Sequence, residues 1–103
     1  MRVTNRFALG EDVRRAIVNA KREWSMGNPF GYLRRHEGYE LSNVVRTGPG
    51  SKLWECYVGR AHRGAASAAG RRRLVLWEDS GQIKRIFFSG DHYRRSSWYE
   101  ITG

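Results

Sequence analysis

Between Glu11 and about Met26, apolar Val13, Ile17, Ala20 and Trp24 recur at spacings of four, three and four, while Arg14, Arg15, Lys21 and Arg22 fall elsewhere. That period predicts one amphipathic helix. Glu11 and Asp12 suit its positive N-terminal end, Lys21 and Arg22 suit its last turns, and Gly27 followed by Pro29 is a stop signal. After an irregular loop at 31–38 the period falls to two over 39–46, 52–59, 72–78, 83–89 and 97–102, which predicts strands of an antiparallel sheet. Asp79-Ser80-Gly81 joins the third and fourth stretches, and its glycine can take the positive φ of a tight hairpin. Residues 1–10 have no clear period and read as a lead-in or short edge strand. Residues 59–71, rich in Ala, Gly and Arg, read as a mobile basic loop. The predicted fold is therefore α+β: one N-terminal helix packed on a four- to five-stranded antiparallel sheet.

Strand parity adds a functional face. If Trp54, Cys56 and Val58 face the helix, then Leu53, Glu55 and Tyr57 face away, because successive side chains alternate. On the next strand Leu74 and Leu76 are the natural core pair, which sends Arg73, Val75 and Trp77 to the opposite side. Glu55 and Arg73 then share an open face.

Composition narrows the class. At 103 residues and 11.9 kDa the chain forms a single domain over 1–103, and 40% hydrophobic residues with four Trp, five Tyr and four Phe suffice for a core. No apolar run approaches the roughly 20 residues of a membrane span, and the N-terminus lacks the apolar stretch of a secretory signal. The expectation is a soluble monomer. Cys56 is the only cysteine, so there is no intramolecular disulfide, and its parity makes it a core residue rather than a nucleophile. The net charge is +9, the pI is about 10.6, and 16 of the 19 cationic side chains are arginine. A polyanion is the expected partner.

Four features carry possible chemistry: Glu55 among aromatics in a strand, Arg71-Arg72-Arg73, Asp91-His92-Tyr93 in a turn, and His36-Glu37-Gly38 after the helix. Cleavage of RNA through its 2′-hydroxyl needs a base for that proton, an acid for the 5′-oxygen, and fixed cations on the phosphate. Glu, His and Arg supply these. His36, His62 and His92 show no ligand spacing, so neither a metal nor a cofactor is predicted.

Trp54-Glu55-Cys56-Tyr57-Val58, Arg73-Leu74-Val75-Leu76 and above all Ser89-Gly90-Asp91-His92-Tyr93 resemble the barnase-like family of microbial guanyl-preferring ribonucleases. His36-Glu37-Gly38-Tyr39-Glu40-Leu41-Ser42 resembles that family's guanine-recognition segment, and the likeness covers roughly residues 28 to 102. It implies a helix on an antiparallel sheet with the active site on the opposite face. It further implies Glu55 as general base, His92 as general acid, Arg73 as phosphate ligand and Glu37 as guanine ligand. His36 and Arg35 neighbour Glu37, Tyr32 and Tyr93 offer rings for stacking a base, and Arg71 or Arg63 stands in for a second family arginine whose position is Ala69. The expected activity is metal-independent cleavage of single-stranded RNA after guanosine, through a 2′,3′-cyclic phosphate. Family members are commonly secreted or occur as toxin modules, so the resemblance also implies an acidic inhibitor or immunity protein. Two other readings account for the charge: a non-catalytic RNA- or DNA-binding module with Phe30, Tyr32, Trp77 and Tyr93 as stacking platforms, and a ribosome-associated mRNA interferase toxin.

Overall fold

The chain is described by a computed structural model over residues 2–36, 41, 50–59, 72–94 and 97–102. Helix α1 (Glu11–Ser25) forms where the 3.6-residue period placed it and buries Val13, Ala16, Ile17 and Ala20. Its N-cap, Gly10, has no side chain to offer, so the Asp12 carboxylate accepts from the Val13 N–H at 2.9 Å instead. The helix ends as Gly27 and Asn28 turn left-handed at φ 81° and 58°, and the Asn28 N–H returns to the Glu23 carbonyl.

Around it run strands β1 (Arg2–Asn5), β2 (Arg34–Arg35), β3 (Lys52–Tyr57), β4 (Arg73–Asp79), β5 (Gln82–Ser89) and β6 (Trp98–Thr102). They form one six-stranded sheet in the order β1-β6-β5-β4-β3-β2. The sheet is mixed rather than wholly antiparallel, because β1 runs parallel to β6 from Arg2 opposite Tyr99 to Asn5 opposite Thr102. Neither β1 nor β2 left a period in the sequence. β1 is an edge strand with no buried residue and β2 is only two exposed residues, so no burial imposed alternation on either. The strand expected over 39–46 lies outside the described residues except for Leu41, which is helical and fully buried. Residues 60–71 of the expected basic loop are likewise outside them. No described helix is long and apolar enough to cross a membrane.

The β4–β5 hairpin turns through Ser80 and Gly81, at φ 54° and 76°, with Asp79 opposite Gln82. Two positive φ values are the signature of the tight turn whose twist matches paired strands. A bulge follows: the register shifts between Trp77 opposite Arg85 and Glu78 opposite Ile83. Lys84 is thereby skipped and Ile83 joins the helix side.

Each sheet face has its own apolar cluster. On the helix side, Val13, Ile17 and Ala20 of α1 pack with Cys56, Val58, Leu74, Leu76, Ile86 and Phe88. On the other side, Leu53, Val75, Phe87 and Trp98 pack with Leu41 and Tyr93. The parity expected for β3 and β4 holds: Trp54, Cys56, Val58, Leu74 and Leu76 face the helix, and Leu53, Val75 and Trp77 face the other side, as do Glu55, Tyr57 and Arg73. Antiparallel register then draws two rows across the open face: Arg34, Glu55, Val75, Phe87, Glu100, and beside it Tyr57, Arg73, Ser89, Trp98.

Candidate active site on the open face

Glu55 sits at the middle of β3 above the second apolar cluster, with its side chain 18% exposed. Three neighbours converge on it. Tyr93 donates its hydroxyl proton to Oε2, His36 brings Nδ1 within 3.3 Å of the same oxygen, and Arg34 places Nη2 3.6 Å from Oε1. Burial alone would push this carboxyl up. The hydrogen bonds from His36 and Tyr93, with the charges of His36 and Arg34, outweigh that and hold it below the usual carboxylate value. Glu55 is thus an ionised, partly desolvated carboxylate at neutral pH, the state a proton acceptor requires.

Arg34 and His36 reach Glu55 because β2 pairs with β3, Arg34 opposite Glu55, and the ladder continues as the His36 N–H bonds the Leu53 carbonyl at 2.9 Å. Alternation therefore sends residues 34 and 36 to the open face and Arg35 to the other, where its guanidinium lies 5.1 Å from the Trp54 ring. Tyr32 is also on the helix side, packed against that core. Asn28 explains it: its side chain holds both the N–H and the carbonyl of Leu33, at 2.9 and 2.8 Å, so the strand and its alternation begin only at Arg34. Arg35 and Tyr32, two residues expected to bind substrate, thus stand away from Glu55, while Arg34 takes the position beside it.

Arg73 is on the open face as expected and is 6% exposed. Its guanidinium lies 4.3 Å from the Tyr57 ring centroid and donates to the Arg72 carbonyl at 3.0 Å, while that of Arg34 lies 3.9 Å from the same ring. Tyr57 is therefore an aromatic post on which two cations rest, one residue pair along from Glu55. Two planar forks so placed suit a phosphate.

His92 and Tyr93 occupy the turn between β5 and β6, both left-handed at φ 42° and 68°. Consecutive bulky residues in that region cost roughly 1–3 kcal/mol each and persist only where surroundings hold them. Here Ser89 does so. Its buried Oγ accepts from the Tyr93 N–H at 2.8 Å and pairs with the Ser97 hydroxyl at 2.7 Å, while Ser97 donates onward to the Arg94 carbonyl. The turn leaves His92 exposed, its ring 5.1 Å from that of Tyr93. Tyr93 itself is buried and stacked on Trp98 at 5.4 Å, with His36 at 4.7 Å, so its ring is packed rather than offered for stacking.

The structure thus groups Glu55, His36, Tyr93, Arg73 and, through the Tyr93 ring, His92. Glu37 and Arg71 lie outside the described residues. Sequence reasoning missed Arg34 and Ser89 as site residues; a two-residue strand at 34–35 would have exposed the first by parity, whereas no sequence signal marks the clamp made by the second. Compared with known proteins, the chain matches no family model, no curated protein and no solved structure.

Proposed function

We propose that the chain is a metal-independent endoribonuclease of single-stranded RNA, with guanosine preferred before the cleaved bond. The observation that carries this reading is the ionised Glu55 carboxylate gripped by His36 and Tyr93 beside two arginines stacked on Tyr57. The resemblance around Glu55, Arg73 and His92 supports it independently. In the first step Glu55 takes the proton of the ribose 2′-hydroxyl, and that oxygen attacks phosphorus. His92 gives a proton to the departing 5′-oxygen, leaving a 2′,3′-cyclic phosphate. Arg73 and Arg34 stabilise the charge on the phosphate oxygens. In the second step water replaces the 5′-hydroxyl, with Glu55 as acid and His92 as base. His36 and Tyr93 are positioning residues that fix the carboxylate, and Glu37 supplies a carboxylate for the N1–H and amino group of guanine.

The test is incubation with guanosine-containing and guanosine-free oligoribonucleotides in excess chelator, followed by identification of product ends. Cyclic phosphates after guanosine are expected. Retained binding without any cleavage would replace this reading with the non-catalytic nucleic-acid module, and cleavage restricted to ribosome-bound message would replace it with the interferase.

A further inference from the structure

The two groups that would move protons come from distant parts of the chain: Glu55 stands in β3, and His92 in the turn between β5 and β6. One dipeptide joins them. Tyr93, next after His92, donates its hydroxyl to Glu55 Oε2, so whatever fixes the backbone at 92–93 also fixes the distance from acid to base. Both residues are left-handed, at φ 42° and 68°, a region that bulky side chains rarely occupy without outside support. We propose that Ser89 is a positioning residue that sets the spacing between general base and general acid through a directed relay of hydroxyl bonds. The roles of Glu55 and His92 rest on the ribonuclease reading; the link from Ser89 through Tyr93 to Glu55 does not.

The direction of the relay follows from its protons. The Ser97 hydroxyl donates to the Arg94 carbonyl at 2.6 Å, and a hydroxyl has only one proton to give. The Ser89 hydroxyl must therefore donate to Ser97 Oγ at 2.7 Å. That leaves the lone pairs of Ser89 Oγ for backbone donors, the Tyr93 N–H at 2.8 Å and the Asp91 N–H at 3.4 Å. Ser89 is fully buried, in register with Arg73 on one side and Trp98 on the other. Trp98 stacks on the Tyr93 ring at 5.4 Å. Stacking fixes the plane of that ring but not its place within the plane; the bond from the Tyr93 N–H to Ser89 supplies the missing constraint. Around Glu55 itself, β2 presents Arg34 and His36, β4 presents the uncharged Val75 opposite, and Arg73 lies one residue pair along. A turn released from Ser89 weakens the Tyr93 bond, one of the bonds that hold the Glu55 carboxyl below its usual value.

Ser89→Ala and Ser89→Cys both remove the strong acceptor, and cysteine nearly keeps the original shape, so an effect shared by the two comes from the lost bond and not from a cavity. In each, cleavage of the dinucleotide GpU should lose about 10- to 100-fold in kcat with KM changed less than about 3-fold, because a displacement near 1 Å at the reacting groups suffices. The acid limb of the kcat/KM profile and the Glu55 carboxyl titration, followed by carbon-13 NMR, should both move to higher pH. Parent-like kcat in the folded variants, a loss confined to Ser89→Ala, or lost kcat with the Glu55 titration unmoved each overturns the proposal. If neither variant folds, Ser97→Ala breaks the relay at its half-buried end and should show the same pair of changes, with kcat down about 3- to 10-fold. A Ser97→Ala protein identical to the parent then overturns it. The NMR titration needs no turnover: a Glu55 shift in variants of a parent that does not cleave RNA sinks the ribonuclease reading and leaves the Ser89–Tyr93–Glu55 link standing, whereas cleavage by the parent without a shift does the reverse.

Discussion

Two carboxylates, one on each face of the sheet, are both held below their ordinary range, yet their neighbours differ in kind. Glu78, on the helix side, accepts from the indole N–H groups of Trp24 and Trp54 at 2.7 and 3.0 Å, and those two bonds are the main cause of its depressed pKa. Glu55, on the open side, is opposed by its own burial and rescued by His36, Tyr93 and Arg34. An indole N–H is a donor only and does not titrate at working pH, so Glu78 is a bracket between α1, β3 and β4. Imidazole, phenol and guanidinium around Glu55 instead make a polar recess in which a proton and a phosphate can be handled. A depressed carboxylate is thus no mark of a site by itself; the chemistry of its donors is.

Substituting both glutamates gives the largest contrast. Glu55→Gln should cut RNA cleavage about 10²- to 10⁴-fold, the usual worth of a general base, with little change in melting temperature. Glu78→Gln should leave turnover intact and cost about 1 kcal/mol of stability, because its amide oxygen still accepts from the indoles but without charge. Matched effects of the two variants on turnover would abolish the distinction between the faces.

Arg73 comes next. Lysine keeps the charge but loses the planar fork and the stack on Tyr57, so Arg73→Lys should lower kcat/KM roughly 10- to 100-fold. Lysine and arginine enzymes of equal rate would reduce Arg73 to a contribution to net charge.

The helix face is legible in the sequence because burial writes a period: Leu74 and Leu76 declare their side, and Arg73 follows by alternation. The same logic reached Glu55. It failed where burial left no alternating trace. Arg34 lies in a two-residue strand within what reads as loop, β1 is exposed on both faces, and the bulge at Lys84 breaks parity from within. His36 and Tyr93 were singled out, but for the substrate; that they grip Glu55 depends on pairing between residues distant in sequence, which no local pattern encodes.

Tyr93→Phe sharpens the Glu55 side of the comparison through pH. Cleavage needs the carboxylate ionised, so its rate falls as pH drops through the Glu55 pKa. The Tyr93 hydroxyl lowers that pKa; without it the acid limb of the kcat/KM profile should move to higher pH, while the rate on the neutral plateau falls only through the lost positioning bond, by about 10-fold or less. An unmoved limb would mean that His36 and Arg34 suffice.

The smallest effect separates Arg72 from Arg73, adjacent residues that alternation sends to opposite faces. Arg72 turns to the helix side, its guanidinium 5.6 Å from the Phe88 ring and bonded to Asp12 through both terminal nitrogens. That bond depresses the Asp12 carboxyl more than burial raises it. Both side chains are about two-fifths exposed, so solvent screens the pair and it should contribute about 1 kcal/mol or less. A carboxyl depressed on folding stabilises above its unfolded pKa of about 3.9, and that contribution drains as pH falls through the lower folded value. Asp12→Asn keeps an acceptor for the Val13 N–H but loses the charge. Its urea midpoint should therefore trail the parent at pH 7, and the gap should close steadily below about pH 4 as Asp12 in the parent takes up its proton. A gap that is as wide at pH 2 as at pH 7 would show that Asp12 acts as a neutral helix cap, and that Arg72 does not tie β4 to α1 through charge.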